Sequence, residues 1–394
     1  MKRTTIRWRF LAFSLLFALI CSCFSVVNTQ AASDFTVKKG VLIRYSGKKT
    51  KVTIPKGVTA IGESAFAGCT SLKSVTIPKA VTSIDDFAFS GCTNLKTITI
   101  PKTMTSIGAF AFQGTKWLKT QQKKNPLVIL NHCLITGATA KGKVKIPAGV
   151  TVIADNAFAG CTAITSVTLP KGVISIGNSA FYDCSKLKSV TLPKGLKSIG
   201  NSAFSGCKKL ASITLPKGLK SIGASAFYDC AKLTSITIPN GVLSIGSNAF
   251  NNCIALKEIT IPKSVTTIDS YAFANTGWIK AQKKENPIVI VNQILVDGSA
   301  ASGDVTIPEG VTVIGAGAFF GNRNLTGITF PDSLISIGQE AFFGNWSLTG
   351  VTFPDSLTSI GQEAFFGCDS LTSVTLPKGV ELGTNAFDAD CVIQ

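Results

Sequence analysis

Histidine is almost absent from this 394-residue chain, with His132 the only one. A single imidazole excludes a histidine-based catalytic triad and any metal site built from several histidines. Charge is scarce as well, at 15% Asp, Glu, Lys and Arg, and acid is scarcest: residues 33–300 hold 33 Lys and Arg but only 11 Asp and Glu. Two opposed carboxylates, which a glycosidase requires, have few candidates along that length. No phosphate loop, calcium nonapeptide or dinucleotide fingerprint occurs. After residue 32 no apolar run approaches the ~18 residues of a membrane span. These absences argue against an enzyme and lead us to expect no catalytic residue, no cofactor, no metal site, no nucleic-acid partner and no transmembrane span once the leader is removed.

What the chain does have is a period. Pro170, Pro193, Pro216, Pro239 and Pro262 stand 23 residues apart, and Cys161, Cys184, Cys207, Cys230 and Cys253 keep the same interval. A strict period in this range means a solenoid, whose repeats stack only on their neighbours and share one long core. Two gaps in the proline series, Pro101 to Pro147 and Pro262 to Pro308, are each 46 residues, so the interruptions also occupy two repeat lengths.

Residues 1–32 read as a secretory leader: Lys2, Arg3, Arg7 and Arg9 precede the apolar Phe10–Phe24, and Thr29-Gln30-Ala31 offers a cleavage site. The rest, 33–394, reads as one continuous solenoid in three blocks. Residues 33–125 carry an N-terminal hairpin cap and repeats. Residues 126–286 and 287–394 each begin with a hairpin insert and continue with repeats. Both inserts follow a short basic helix, Trp117-Leu118-Lys119 onward in one case and Trp278-Ile279-Lys280 onward in the other, and turn near Asn131 and Asn292. The expected localisation is secreted or at the cell surface.

Within a repeat, Leu72, Val75 and Ile77 alternate with Ser74 and Thr76 in the manner of a half-buried strand, which Pro78 stops. Val81–Ile84 supplies a second short strand. Gly62, Gly177 and Gly200 then suit a turn with φ above zero. An Ala-Phe pair follows, and its ring, as in Phe66, Phe89 and Phe181, is directed into a stacked core spine.

The resulting pattern, Leu-x-x-Val-x-Ile-Pro-x-x-Val-x-x-Ile-Gly-x-x-Ala-Phe-x-x-Cys, resembles the BspA-like class of leucine-rich repeats over about residues 41–394. The insert beginning at Trp117 is similar to segments found in secreted members. The resemblance implies a mainly β solenoid, a horseshoe or superhelix of 23-residue repeats with short helical or 3-10 turns. It also implies a surface protein used for adhesion and protein binding, without catalytic activity.

Nine cysteines, among them Cys69, Cys92, Cys368 and Cys391, share one repeat position, where Thr115, Thr276, Asn322 and Asn345 stand elsewhere. Such exchange indicates buried thiols near a turn, accepting a backbone hydrogen bond, rather than a disulfide framework. Cys391-Val-Ile-Gln394 matches a prenylation box, but Cys391 simply continues the column. His132 reads as a turn residue, since Gln293 replaces it in the matching hairpin.

Function is expected on the outward columns. One is a hydroxyl ladder including Thr76, Thr99, Thr168, Thr191, Thr214, Thr237 and Thr260. Beside it runs a lysine margin including Lys79, Lys102, Lys171, Lys194, Lys217 and Lys263, which turns acidic at Glu309, Asp332 and Asp355. The leading expectation is a non-enzymatic binding protein, adhering through this face to an extracellular protein or glycan of a host or neighbouring cell. The alternative is a structural envelope protein held electrostatically on anionic cell-wall polymers or glycans. The two Trp-containing inserts and the switch from Lys to acid after Pro308 are further places where specificity is expected.

Overall fold

The computed structural model describes residues 34–394; the leader expected over 1–32 lies outside the described residues. Each turn of the coil contributes one strand to each of two parallel ladders. The first ladder takes three-residue strands such as Ser74–Thr76 and Thr97–Thr99, paired in register so that Thr53, Thr76 and Thr99 lie side by side. The second takes two-residue strands such as Ser83–Ile84 and Ser106–Ile107, in which serine pairs with serine and isoleucine with isoleucine. Identical residues meet because the coil advances one repeat per turn, so the expected alternation holds: Val75 is buried and Thr76 exposed.

The third side of each turn closes by tight turns. Helix is confined, among the described residues, to the two inserts. The helical or 3-10 turns expected inside the repeats are replaced by turns carrying left-handed residues. Ser179 and Ser202 take φ of 52° and 55°, and the position before the cysteine column is left-handed again, as Gly68 at 71° and Asp183 at 55°. Gly62, Gly177 and Gly200 do not have positive φ, contrary to expectation. Their requirement is space. A Cβ on Gly200 would sit 2.6 Å from the backbone nitrogen of Asn178 in the preceding turn, so only glycine admits the next rung this closely.

Inside, the phenylalanines stack as expected. The centroids of Phe158, Phe181, Phe204, Phe227, Phe250 and Phe273 follow one another at 5.0, 5.2, 5.5, 5.4 and 5.8 Å, nearly parallel. The buried apolar side chains gather in three clusters, Leu42–Val128, Leu134–Ile294 and Leu295–Phe387.

The breaks between clusters are made by the inserts. Helix α1 spans Lys116–Lys124 and helix α2 spans Gly277–Glu285. Thr115 and Thr276 occupy the cysteine position because each caps a helix: Thr115 Oγ1 accepts from Leu118 N at 3.1 Å and donates to Phe112 O at 2.8 Å. Trp117 and Trp278 turn inward and lie at 4.8 and 5.1 Å on Phe112 and Phe273, ending each phenylalanine stack. Trp117 is buried as a core plug, and Trp278 is partly buried against the core. After each helix comes the expected hairpin, Val128–Leu130 with Cys133–Thr136 and Val289–Val291 with Ile294–Asp297. Its second strand continues the two-residue ladder, Cys133 opposite Val152 and Ile294 opposite Val313. The turn asparagines reach back across the break: Asn131 Nδ2 donates to Met104 O at 2.9 Å and Asn292 Nδ2 to Val265 O at 2.8 Å. His132 is an exposed turn residue, its Nδ1 2.9 Å from Gly149 O.

All ten described cysteines are unpaired thiols. The cysteines of the column donate: Cys92, Cys184 and Cys253 Sγ lie 2.9, 3.1 and 3.0 Å from the carbonyl oxygens of Phe66, Phe158 and Phe227. Asn345 Nδ2 makes the same bond to Phe319 O at 2.9 Å. The expected acceptance from a backbone amide is made by Thr115, Thr276 and Asn322, from Leu118, Ile279 and Asn324 N at 3.1 Å each. Burial pushes the Cys184 and Cys368 thiols up to about 12, which suppresses the reactive thiolate at neutral pH. A thiol reagent at pH 8 should therefore label the half-buried Cys69 and Cys391 first, and label every cysteine only after denaturation; a denatured chain with few reactive thiols would contradict this.

Candidate functional site

The hydroxyl ladder sits on the first sheet, and each lysine follows three residues after its threonine, just past the corner proline that ends the strand. Thr76 and Thr99 pair in one segment of that sheet, Thr168 and Thr191 in the next, and Thr237 and Thr260 in a third. All of these threonines, together with Thr214, are exposed, as are Lys79, Lys102, Lys171, Lys194, Lys217 and Lys263.

The margin is electrically unsatisfied. Among the described residues the ion pairs are Lys49–Asp34, Lys208–Asp229 and Lys283–Asp297, and none uses a margin lysine. Unpaired ammonium groups spaced one rung apart along one edge raise the local potential and attract an anion without first having to break internal salt bridges.

The ladder is not uniform. At Ser212–Thr214 strand pairing lapses to a single bridge between Ser189 and Ser212. Leu169 N donates to Thr191 O at 3.1 Å and Ile238 N to Thr260 O at 2.9 Å; among the described residues the corresponding amides of Leu192 and Leu215, like those of Phe330 and Phe353 in the last block, have no backbone acceptor. The sheet opens there into a shallow depression of about 640 Å³, whose walls include Ser212, Thr214, Ser235, Thr237, Thr260, Asn240 and Lys217. Four of the expected residues, Thr214, Lys217, Thr237 and Thr260, thus meet in one concavity. Thr76, Thr99, Thr168, Thr191 and the other margin lysines lie along the same face outside it.

A second set of outward residues escaped the sequence reading. On the turn side, Phe87 and Phe110 stack at 5.5 Å, and Phe320, Phe343 and Phe366 stack at 5.1 and 5.7 Å. Arg323 lies 4.0 Å over the ring of Trp346, a cation–π contact. The sequence signal for those in the last block is the doublet Ala-Phe-Phe, whose first ring joins the core spine and whose second lies on the turn side. Among the described residues no group of three or more His, Cys, Asp or Glu is placed to hold a metal ion, and no helix is long and apolar enough to cross a membrane.

Three solved structures illustrate what the chain is similar to. A leucine-rich repeat protein from Bacteroides ovatus is 24% identical over 90% of this chain and 89% of its own, with a TM-score of 0.34. The pneumococcal vaccine antigen PcpA is 26% identical over 64% of this chain and 71% of its own, at 0.43. A leucine rich cell surface protein from Faecalibacterium prausnitzii is 24% identical over 91% and 83%, at 0.26. Superpositions this loose carry nothing about site or partner. No curated protein matches the sequence. The sequence model described as BspA type leucine rich repeat region (6 copies) matches residues 44–164, 129–233, 151–280 and 298–394. With its ladders, phenylalanine spine and 23-residue period, the chain belongs to the BspA type leucine-rich repeat family.

Proposed function

We propose that this is a non-enzymatic binding protein, secreted or held at the cell surface, that adheres to an anionic extracellular protein or glycan through the threonine ladder and its lysine margin. One observation carries the reading. The margin lysines are exposed, have no acidic partner among the described residues and border a hydroxyl sheet that opens into a depression of about 640 Å³. Hydroxyls donate and accept hydrogen bonds along an extended ligand, and the ammonium row supplies long-range attraction.

The charge distribution supports a second reading, passive retention on anionic wall polymers, because residues 33–300 hold 33 basic against 11 acidic residues. Salt separates the two. Exposed charges are screened beyond about 10 Å at 0.1 M and about 3 Å at 1 M ionic strength. Capture from surface extracts at low and at high salt should leave a restricted set of partners bound at high salt if the face recognises a ligand. Loss of all binding together, with no selectivity at low salt, would overturn adhesion in favour of retention.

A further inference from the structure

The turn side of the last block differs from the rest of the coil in both shape and charge. One column there reads Phe320, Phe343 and Phe366, where the central block has Tyr182, Ser205, Tyr228 and Asn251. Consecutive rings of the column stack at 5.1 and 5.7 Å. Phe320 and Phe366 are 40% and 39% exposed, and Trp346, three residues after Phe343, is 47% exposed. Aromatic surface therefore faces water over three successive turns, and contiguous apolar surface of this kind marks a contact site where scattered single residues do not.

Acid borders this stripe. Phe343 N donates to Glu340 O at 3.2 Å and Phe366 N to Glu363 O at 3.3 Å, so each of these rings closes a tight turn that opens with a glutamate. Both glutamates are left-handed, at φ of 53° and 52°. Asn and Asp take that conformation most readily, and Asn156, Asn248 and Asn385 take it at the same position of other turns; the backbone alone does not account for Glu. Neither carboxylate has an ion-pair partner among the described residues; each accepts from a neutral amide, Gln339 Nε2 at 2.9 Å and Gln362 Nε2 at 3.2 Å. Asp369 is exposed on the other margin. Residues 301–394 hold two bases, Arg323 and Lys378, against ten acids. Lys378 stands in the corner column beside Pro377, and Arg323 lies 4.0 Å over the Trp346 ring. In the central block Lys208 occupies the place of Trp346, so the acidic character belongs to the last block alone.

We propose that this face docks an extended cationic segment of a partner protein, its apolar side chains lying across the ring edges and its Arg or Lys side chains reaching Glu340 and Glu363 on one margin and Asp369 on the other. Charge sets the sign of the occupant, because three carboxylates border the stripe and the one base on it is already seated. Arg323 also shows what the face accepts: an aliphatic stem and a guanidinium laid against an aromatic ring. Packing disfavours a sugar, which stacks on an open ring face. Phe320 and Phe343 lie within 5° of parallel and Phe343 and Phe366 within 26°, so the rings cover one another's faces and turn their edges outward. The site takes the opposite charge from the lysine margin and does not rest on it.

The test is a titration of the intact chain with terminally blocked octapeptides that alternate Leu with Arg, Lys, Gln or Glu, followed by calorimetry and by the fluorescence of the exposed Trp346. The Arg and Lys members should bind and shift the Trp346 emission, and the Gln and Glu members should bind at least about tenfold more weakly, the effect of losing two or three exposed charge contacts. Glu340→Lys combined with Glu363→Lys should weaken the Arg member by at least about the same factor. Phe320→Ser combined with Phe366→Ser should weaken it too; Ser205 stands at the equivalent position of the central block, so the turn admits serine. Binding by no member, binding of the Gln or Glu member as tight as that of the Arg member, or Arg binding that survives the glutamate variant would overturn the proposal. A neutral β-1,4-linked glucose hexasaccharide that binds with the same dependence on Phe320 and Phe366 would assign the face to a glycan. Reversible self-association of the chain that the glutamate variant abolishes would assign it to a second copy, and either result would overturn the proposal equally.

Discussion

Phe227→Ala should destabilise the central part of the coil by about 3–5 kcal/mol, the usual cost of truncating a fully buried phenylalanine. Phe227 is 0% exposed, with its ring stacked at 5.5 Å on Phe204 and 5.4 Å on Phe250. Removing it strips one face from each neighbour and leaves a gap that the close glycine contacts, such as Gly200 on Asn178, prevent from collapsing. Because a solenoid's stability is a sum of rung terms and nearest-neighbour terms, the damage should be local. Amide protection should fall around Phe204 to Phe250 and persist around Phe66 and Phe89. A loss under about 1.5 kcal/mol in denaturant titration, or a uniform loss of protection along the chain, would contradict this picture of the core.

The second large effect is functional. Reversing Lys171, Lys194 and Lys217 together to Glu should lower the association rate with an anionic partner by roughly 10- to 1,000-fold, the range electrostatic steering commands. Stability should change by no more than about 0.5 kcal/mol per site, as for exposed substitutions generally. The chain itself shows that acid is tolerated at this corner, since Glu309, Asp332 and Asp355 occupy the equivalent positions and are exposed. The Gln triple variant should fall between wild type and the Glu variant. Unchanged binding kinetics in the Glu variant would remove the lysine margin from the mechanism.

Periodicity made the scaffold legible, because in a coil of identical turns each repeated residue meets its own copy: Phe181 on Phe204, Ser83 opposite Ser106, Thr168 opposite Thr191. Spacing alone could not say why a residue recurs. Gly200 looked like a turn glycine and is a contact glycine, while the left-handed conformation falls two residues later on Ser202. Thr115 looked like a variant of the cysteine column and is a helix cap. The column's hydrogen bonds run both ways, Cys92 and Asn345 donating to a Phe carbonyl and Thr115 and Asn322 accepting from a backbone amide, and spacing could show only that Asn, Cys and Thr exchange there.

At the candidate site, the hydroxyl and lysine columns were readable one residue at a time, but their departure from regularity was not. Ser212-Ile213-Thr214 is written like every other rung, and only the loss of pairing on either side opens the sheet there.

The most direct measurement is differential lysine labelling of the free and partner-bound chain. If the threonine ladder and its margin form the binding face, bound partner should shield Lys171, Lys194 and Lys217, and with an extended ligand Lys79, Lys102 and Lys263. Lys186, Lys208 and Lys232, which stand away from the corner prolines, should label as before. Protection confined to those three, with the margin labelled at its free rate, would contradict the account.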